Sequence, residues 1–167
     1  GRDLLAAVLA LWPHYLTYVV SFATIGAVWL THNAITEHLD HADSTFMRLN
    51  LLPLLFVAFI PFPTRFLAQY IDSEQPERIA ILLYGISAVL LFGALVLLRW
   101  YAGKAGLLRA APGDGELSVY QRMNPGLVAY ALLIVLGLFF PVAAVFGFLV
   151  IAVFIILPLR LRRHPRA

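Results

Sequence analysis

An all-α polytopic membrane helical bundle is the fold this sequence predicts, and three observations carry the prediction. Apolar residues make up 62% of the 167 residues and charged residues only 13%, against roughly 45–50% and about 25% in a soluble domain. Mean hydropathy is +0.87, and so few charges cannot coat a water-facing surface. The charges lie between long uncharged runs, each about as long as a helix needs to cross a hydrocarbon core of about 30 Å.

The elements follow from where the charges and prolines stand. Residues 4–36 carry no formal charge, and Pro13 divides them. Proline is tolerated in a first helical turn and disruptive inside a helix. Residues 1–12 therefore read as an interfacial segment and 13–35 as the first span, whose 23 residues reach about 34 Å at 1.5 Å each. Trp12, Tyr15, Tyr18 and Trp29 sit towards its two ends, as interfacial aromatics do. The second span, 46–69, carries Pro53, Pro61 and Pro63, and the third, 79–98, is anchored by Arg99, Trp100 and Tyr101. The uncharged run 125–159 is too long for one helix, at about 52 Å, and just long enough for two. Pro141, after Phe139 and Phe140, is the natural break, giving spans 125–140 and 141–159, followed by a basic tail over 160–167.

Charge distribution supports five spans. They place nine of the twelve basic residues, including Arg99, Lys104, Arg109, Arg122 and the four in the tail, on one side. Arg2, Arg65 and Arg78 fall on the other. The positive-inside rule then makes the C-terminus cytoplasmic. An odd number of spans starting outside points to a further helix upstream.

Several chemistries find no foothold. There is no cysteine, which removes disulfides and thiolate sites, and no charged carboxylate lies inside a span to act as base or nucleophile. Neither a G-x-S-x-G motif, a Gly-rich phosphate loop, nor a T-V-G-Y-G filter is present. The expectation is a non-enzyme without cofactor or metal, and without a nucleic-acid partner. Residues 32–43 hold His32, Glu37, His38, Asp40, His41 and Asp43, and His38 and His41 are spaced to share a helix face. No known ligand spacing accompanies them, so the segment reads as a solvated connecting turn. Ser21 and Thr24 are expected to bond back to the preceding turn of their own helix. Ala23-x-x-x-Ala27 and Ala143-x-x-x-Gly147 are small-residue pairs of the kind that let membrane helices approach.

Two segments carry a resemblance. One runs Trp12-Pro13-His14-Tyr15-Leu16-Thr17-Tyr18-Val19-Val20-Ser21-Phe22 and continues to Trp29-Leu30-Thr31-His32-Asn33. The other runs from Asn50-Leu51-Leu52-Pro53 to Ile60-Pro61-Phe62-Pro63-Thr64. Together they resemble the second and third helices of the transmembrane protein 175 family, the potassium channels of bacterial membranes and animal lysosomes. The resemblance implies a six-helix subunit, of which five spans are visible, assembling as a homotetramer in the bacterial inner membrane. It implies potassium conduction through an apolar constriction, without a carbonyl filter, on a first helix that these residues do not include. It also implies that Trp29, His32, position 33 and Asn50 form a polar shell behind that helix. Position 33 is Asn33, where relatives carry a second histidine. Asp72, Glu74 and Glu77 would stand in an outer loop, where acidic groups concentrate cations. Two alternatives stay open: a secondary transporter, which would show repeated halves that are not found, and a non-conducting assembly whose tail touches anionic lipid.

Overall fold

The computed structural model describes residues 2–70, 76–109 and 128–157. Helices account for nearly all of them, and the described residues contain no strand, only an isolated bridge between Leu39 and Leu108. In chain order the helices are α1 (Arg2–Ala10), α2 (Trp12–Glu37), α3 (Ser44–Leu49), α4 (Leu51–Phe59), α5 (Pro61–Tyr70), α6 (Pro76–Lys104), α7 (Val128–Gly137) and α8 (Pro141–Ile156).

Among the described residues, three stretches are long and apolar enough to cross a membrane: α2, the consecutive α3 to α5 over Ser44–Tyr70, and α6. Proline breaks the second stretch into its three pieces. Pro53, Pro61 and Pro63 lack the N–H that would bond to the carbonyl four residues earlier, and a helix yields where such bonds are missing. The breaks fall at Asn50 and Ile60. Within the spans expected over 125–140 and 141–159, the described residues are helical over Val128–Gly137 and Pro141–Ile156. Ten and sixteen residues reach about 15 and 24 Å. Helix α8 ends at Ile156 because Leu157 is extended (ψ 124°), the backbone favoured before a proline, here Pro158.

Helix α2 is central, packing against α8, α5 and α6, while α6 also packs against α4, α5 and α8. Its buried stripe is made largely of small residues, among them Ser21, Ala23, Thr24 and Ala27, which lets neighbouring helices come close. Of the second small pair, Gly147 is used and Ala143 lies on the exposed side. Helix α7 seats by interlocking. A Cβ built on Gly85 would stand 2.5 Å from Ile134 Cγ1, one on Gly137 2.6 Å from Ile81 Cγ2, and one on Gly147 2.6 Å from Leu133 Cδ2. Each glycine is therefore the notch for a branched side chain across an interface. The outward faces carry large apolar side chains such as Phe22, Trp29, Leu54, Phe62 and Val150, far more than a soluble monomer exposes.

Candidate functional site

The polar groups gather at three levels along α2. At its C-terminal end, Trp29 and His32 lie one turn apart and stack, ring centroids 6.4 Å apart and planes 21° from parallel. His32 Nε2 lies 2.6 Å from Asn50 Oδ1, a hydrogen bond across 18 residues of sequence. Asn50 is available because the α3–α4 break stands at it; its own N–H bonds to Phe46 O at 2.9 Å. Asn33 turns the other way and donates from Nδ2 to Glu37 Oε1 at 2.7 Å on the exposed side. The structure thus joins Trp29, His32 and Asn50 and leaves Asn33 outside the group. Asp72 and Glu74 lie outside the described residues, and Glu77 is in the first turn of α6.

Below this level the connecting segment is tied to the end of α6. Asp40 N–H donates to Leu107 O and Arg109 N–H to His38 O, both at 2.8 Å. Asp43 caps α3 by accepting from Phe46 N–H at 2.7 Å and also accepts the Tyr101 hydroxyl at 2.6 Å. These two donors, Tyr101 foremost, hold the Asp43 carboxyl below its ordinary range. His38 folds back on Ala34 O at 2.7 Å, and His41 stays exposed beside Asp40. Among the described residues, no group of three His, Asp or Glu side chains is placed to hold a metal.

In the middle of the bundle the structure corrects the expectation for Ser21 and Thr24. Both bond across helices and not to their own turn. Ser21 Oγ lies 2.7 Å from Thr64 Oγ1 of α5, and Thr24 Oγ1 lies 3.0 Å from the Tyr84 hydroxyl of α6 and 3.4 Å from the Tyr130 hydroxyl of α7. Thr17, Thr31 and Ser87 do bond back, at 2.7–2.8 Å, to carbonyls four residues earlier. Tyr84 and Tyr130 are fully buried and stand against Phe148, with Phe92 beside Tyr130. Each buried hydroxyl thus has a partner, as an apolar interior requires. Sequence reasoning missed the two tyrosines. The only signal was a tyrosine inside an apolar run, which does not name its partner.

Near the N-terminal end of α2, a cavity of about 460 Å³ opens between α2 and the Ile60–Pro61 break, with His14 and Arg65 among its lining residues.

Comparison with known proteins agrees with this architecture. Residues 1–61 match the family model described as the endosomal/lysosomal potassium channel TMEM175. A potassium channel of Streptomyces collinus is 36% identical over 99 residues, which cover 59% of this chain and 48% of that protein. A potassium channel of Chamaesiphon minutus is 36% identical over 137 residues, covering 77% of this chain and 66% of the relative. The crystal structure of a lysosomal potassium-selective channel TMEM175 homologue from Chamaesiphon minutus superimposes with a TM-score of 0.76 at 25% identity, over 91% of this chain and 77% of that one. The chain spans about half the length of the first relative and 66% of the second.

Proposed function

The chain belongs to the TMEM175 family, and on that premise we propose that it is a subunit of a potassium-conducting channel, a homotetramer in the bacterial inner membrane with its C-terminus cytoplasmic. The observation that carries the reading is the bundle itself. Among the described residues, three apolar stretches of membrane-crossing length are arranged as in a potassium-selective homologue. The potassium channels of Streptomyces collinus and Chamaesiphon minutus, both 36% identical, support it from the sequence side.

In this reading the ion passes an apolar constriction without a ring of backbone carbonyls, and partial dewetting of that constriction sets the gate. The residues of this chain form the wall behind the pore. His32 and Asn50 hold α2 to the α3–α4 break, and Trp29 covers the histidine ring. Asn33 flanks that shell at the same end of α2, and the acidic groups Asp72, Glu74 and Glu77 serve the outer entrance by raising the local cation concentration. The Thr24–Tyr84–Tyr130 cluster fixes α2, α6 and α7 relative to one another. No catalytic role falls to any residue.

Liposomes loaded with potassium and holding the protein that carries this sequence test the proposal. A channel releases potassium down its gradient with a rate that rises with the gradient and needs no co-ion. Release that saturates and requires an opposing sodium or proton gradient identifies a transporter instead. No release above that of empty liposomes identifies the non-conducting alternative.

A further inference from the structure

We propose that the cavity between α2 and the Ile60–Pro61 break is a binding site for one anionic phospholipid, and the proposal rests on the membrane-spanning reading above. The position of Arg65 is the first reason. Its neighbour Thr64 is hydrogen-bonded to Ser21, nine residues into the 26-residue α2, which places this level about 14 Å along a helix of about 39 Å. Arg65 itself stands five residues before the end of the Ser44–Tyr70 stretch, where a long basic side chain reaches the headgroup level at which lipid phosphates lie. Among the described residues, no carboxylate is recorded against the Arg65 side chain, which is exposed.

The chemistry of the lining is the second reason. The cavity holds about 460 Å³, within the roughly 300–1,000 Å³ usual for a bound small molecule. Its threonine and serine hydroxyls are already spent: Thr17 on Pro13 O at 2.8 Å, Ser21 and Thr64 on each other at 2.7 Å. What the walls still offer is apolar surface from the Tyr18 and Phe22 rings, and donors to an anion in the guanidinium of Arg65, the imidazole of His14 and the hydroxyl of Tyr18. A ligand matched to this lining has one anionic end and an otherwise apolar body. A sugar or nucleotide would find its polar groups unpaired. A phospholipid with its phosphodiester on Arg65 and His14 and an acyl chain against Tyr18 and Phe22 meets both requirements. Arginine is well suited to the phosphate because its planar fork donates two parallel hydrogen bonds.

The test is native mass spectrometry of the detergent-solubilised protein titrated with phosphatidylglycerol or with phosphatidylcholine of the same acyl chains. The wild type is expected to retain phosphatidylglycerol preferentially. Arg65→Gln is expected to weaken the first bound phosphatidylglycerol about fivefold, the effect of one basic group near an anionic surface. Arg65→Lys should recover most of that affinity. Arg48→Gln, on exposed α3 outside the cavity, should leave it unchanged. Equal retention of the two lipids, or equal phosphatidylglycerol binding by wild type and Arg65→Gln, overturns the proposal and assigns the cavity to another protein segment. Flotation of the same preparations with vesicles separates the underlying reading. Variants that float but lose phosphatidylglycerol support the site, whereas a wild type that does not float overturns the membrane reading and this site with it.

Discussion

Replacing His32 by alanine removes a hydrogen bond that links the C-terminal end of α2 to the α3–α4 break, the 2.6 Å contact with Asn50 Oδ1. It also removes the ring stacked on Trp29. Hydrogen bonds between membrane helices are worth about 0.6 kcal/mol on average and about 1.7 at most. The His32–Asn50 bond is short and half-buried, so about 1 kcal/mol is the expected coupling, or roughly fivefold in the equilibrium between two positions of α2. If that equilibrium sets the gate, His32→Ala and Asn50→Ala each change open probability several-fold, and the double variant is no worse than the larger single effect, because both remove the same bond. Single-channel recording of the four proteins gives the open probabilities, and the ratio of potassium to sodium permeability should be unchanged throughout. Strictly additive effects would show that the two side chains act independently. Unchanged gating together with unchanged oligomer size would refute a supporting role for His32.

Three further outcomes follow from the bundle. Thr24→Val strips two buried tyrosine hydroxyls of a partner and should lower stability by about 1 kcal/mol, read by denaturant titration in micelles; a loss equal to the sum over the Thr24→Val and Tyr84→Phe variants in the double mutant would contradict the shared bond. Gly137→Ala places a Cβ 2.6 Å from Ile81 Cγ2 and 3.2 Å from Ala144 Cβ, and because Ile81 is stiff at χ1 the cost should be about 1–3 kcal/mol. Gly93→Ala, where a Cβ meets nothing within 4 Å, should be neutral or stabilising by up to about 1 kcal/mol, and the same titration checks both. Asp43 is held below its ordinary value of 3.8, first by Tyr101 and then by Phe46 N–H. A carboxylate lowered by folding contributes fully above its unfolded value and loses that contribution as pH falls through the native one. The tie between the 38–43 segment and α6 should therefore be intact at neutral pH and weaken only in strong acid, with Asp43→Asn abolishing that dependence in hydrogen exchange of the Phe46 amide.

The sequence exposes some of this arrangement and conceals the rest for identifiable physical reasons. Long uncharged runs and prolines act on the backbone locally, so helices can be read directly from them, but they predict a single span over 46–69 where the chain breaks at Asn50 and Ile60. The His32–Asn50 contact was accessible only through resemblance, since nothing in 18 residues of separation dictates that the two meet. Ser21 and Thr24 show the opposite case. Local chemistry favours bonding to their own turn, as Thr17, Thr31 and Ser87 do, but Thr64, Tyr84 and Tyr130 stand opposite them. Whether a serine or threonine looks inward or across is decided by the neighbouring helix, which a local pattern does not contain. The glycine notches at 85, 137 and 147 were hidden for the same reason, because each is defined by the branched side chain that fills it.

The measurement that bears most directly on the channel reading is a planar-bilayer recording of the protein that carries this sequence, with potassium on one side and sodium on the other. The account predicts discrete unitary current steps that reverse near the potassium equilibrium potential and persist without any opposing proton gradient. A silent bilayer containing demonstrably inserted protein, or a current without unitary steps that stops when a co-ion gradient is removed, would contradict it.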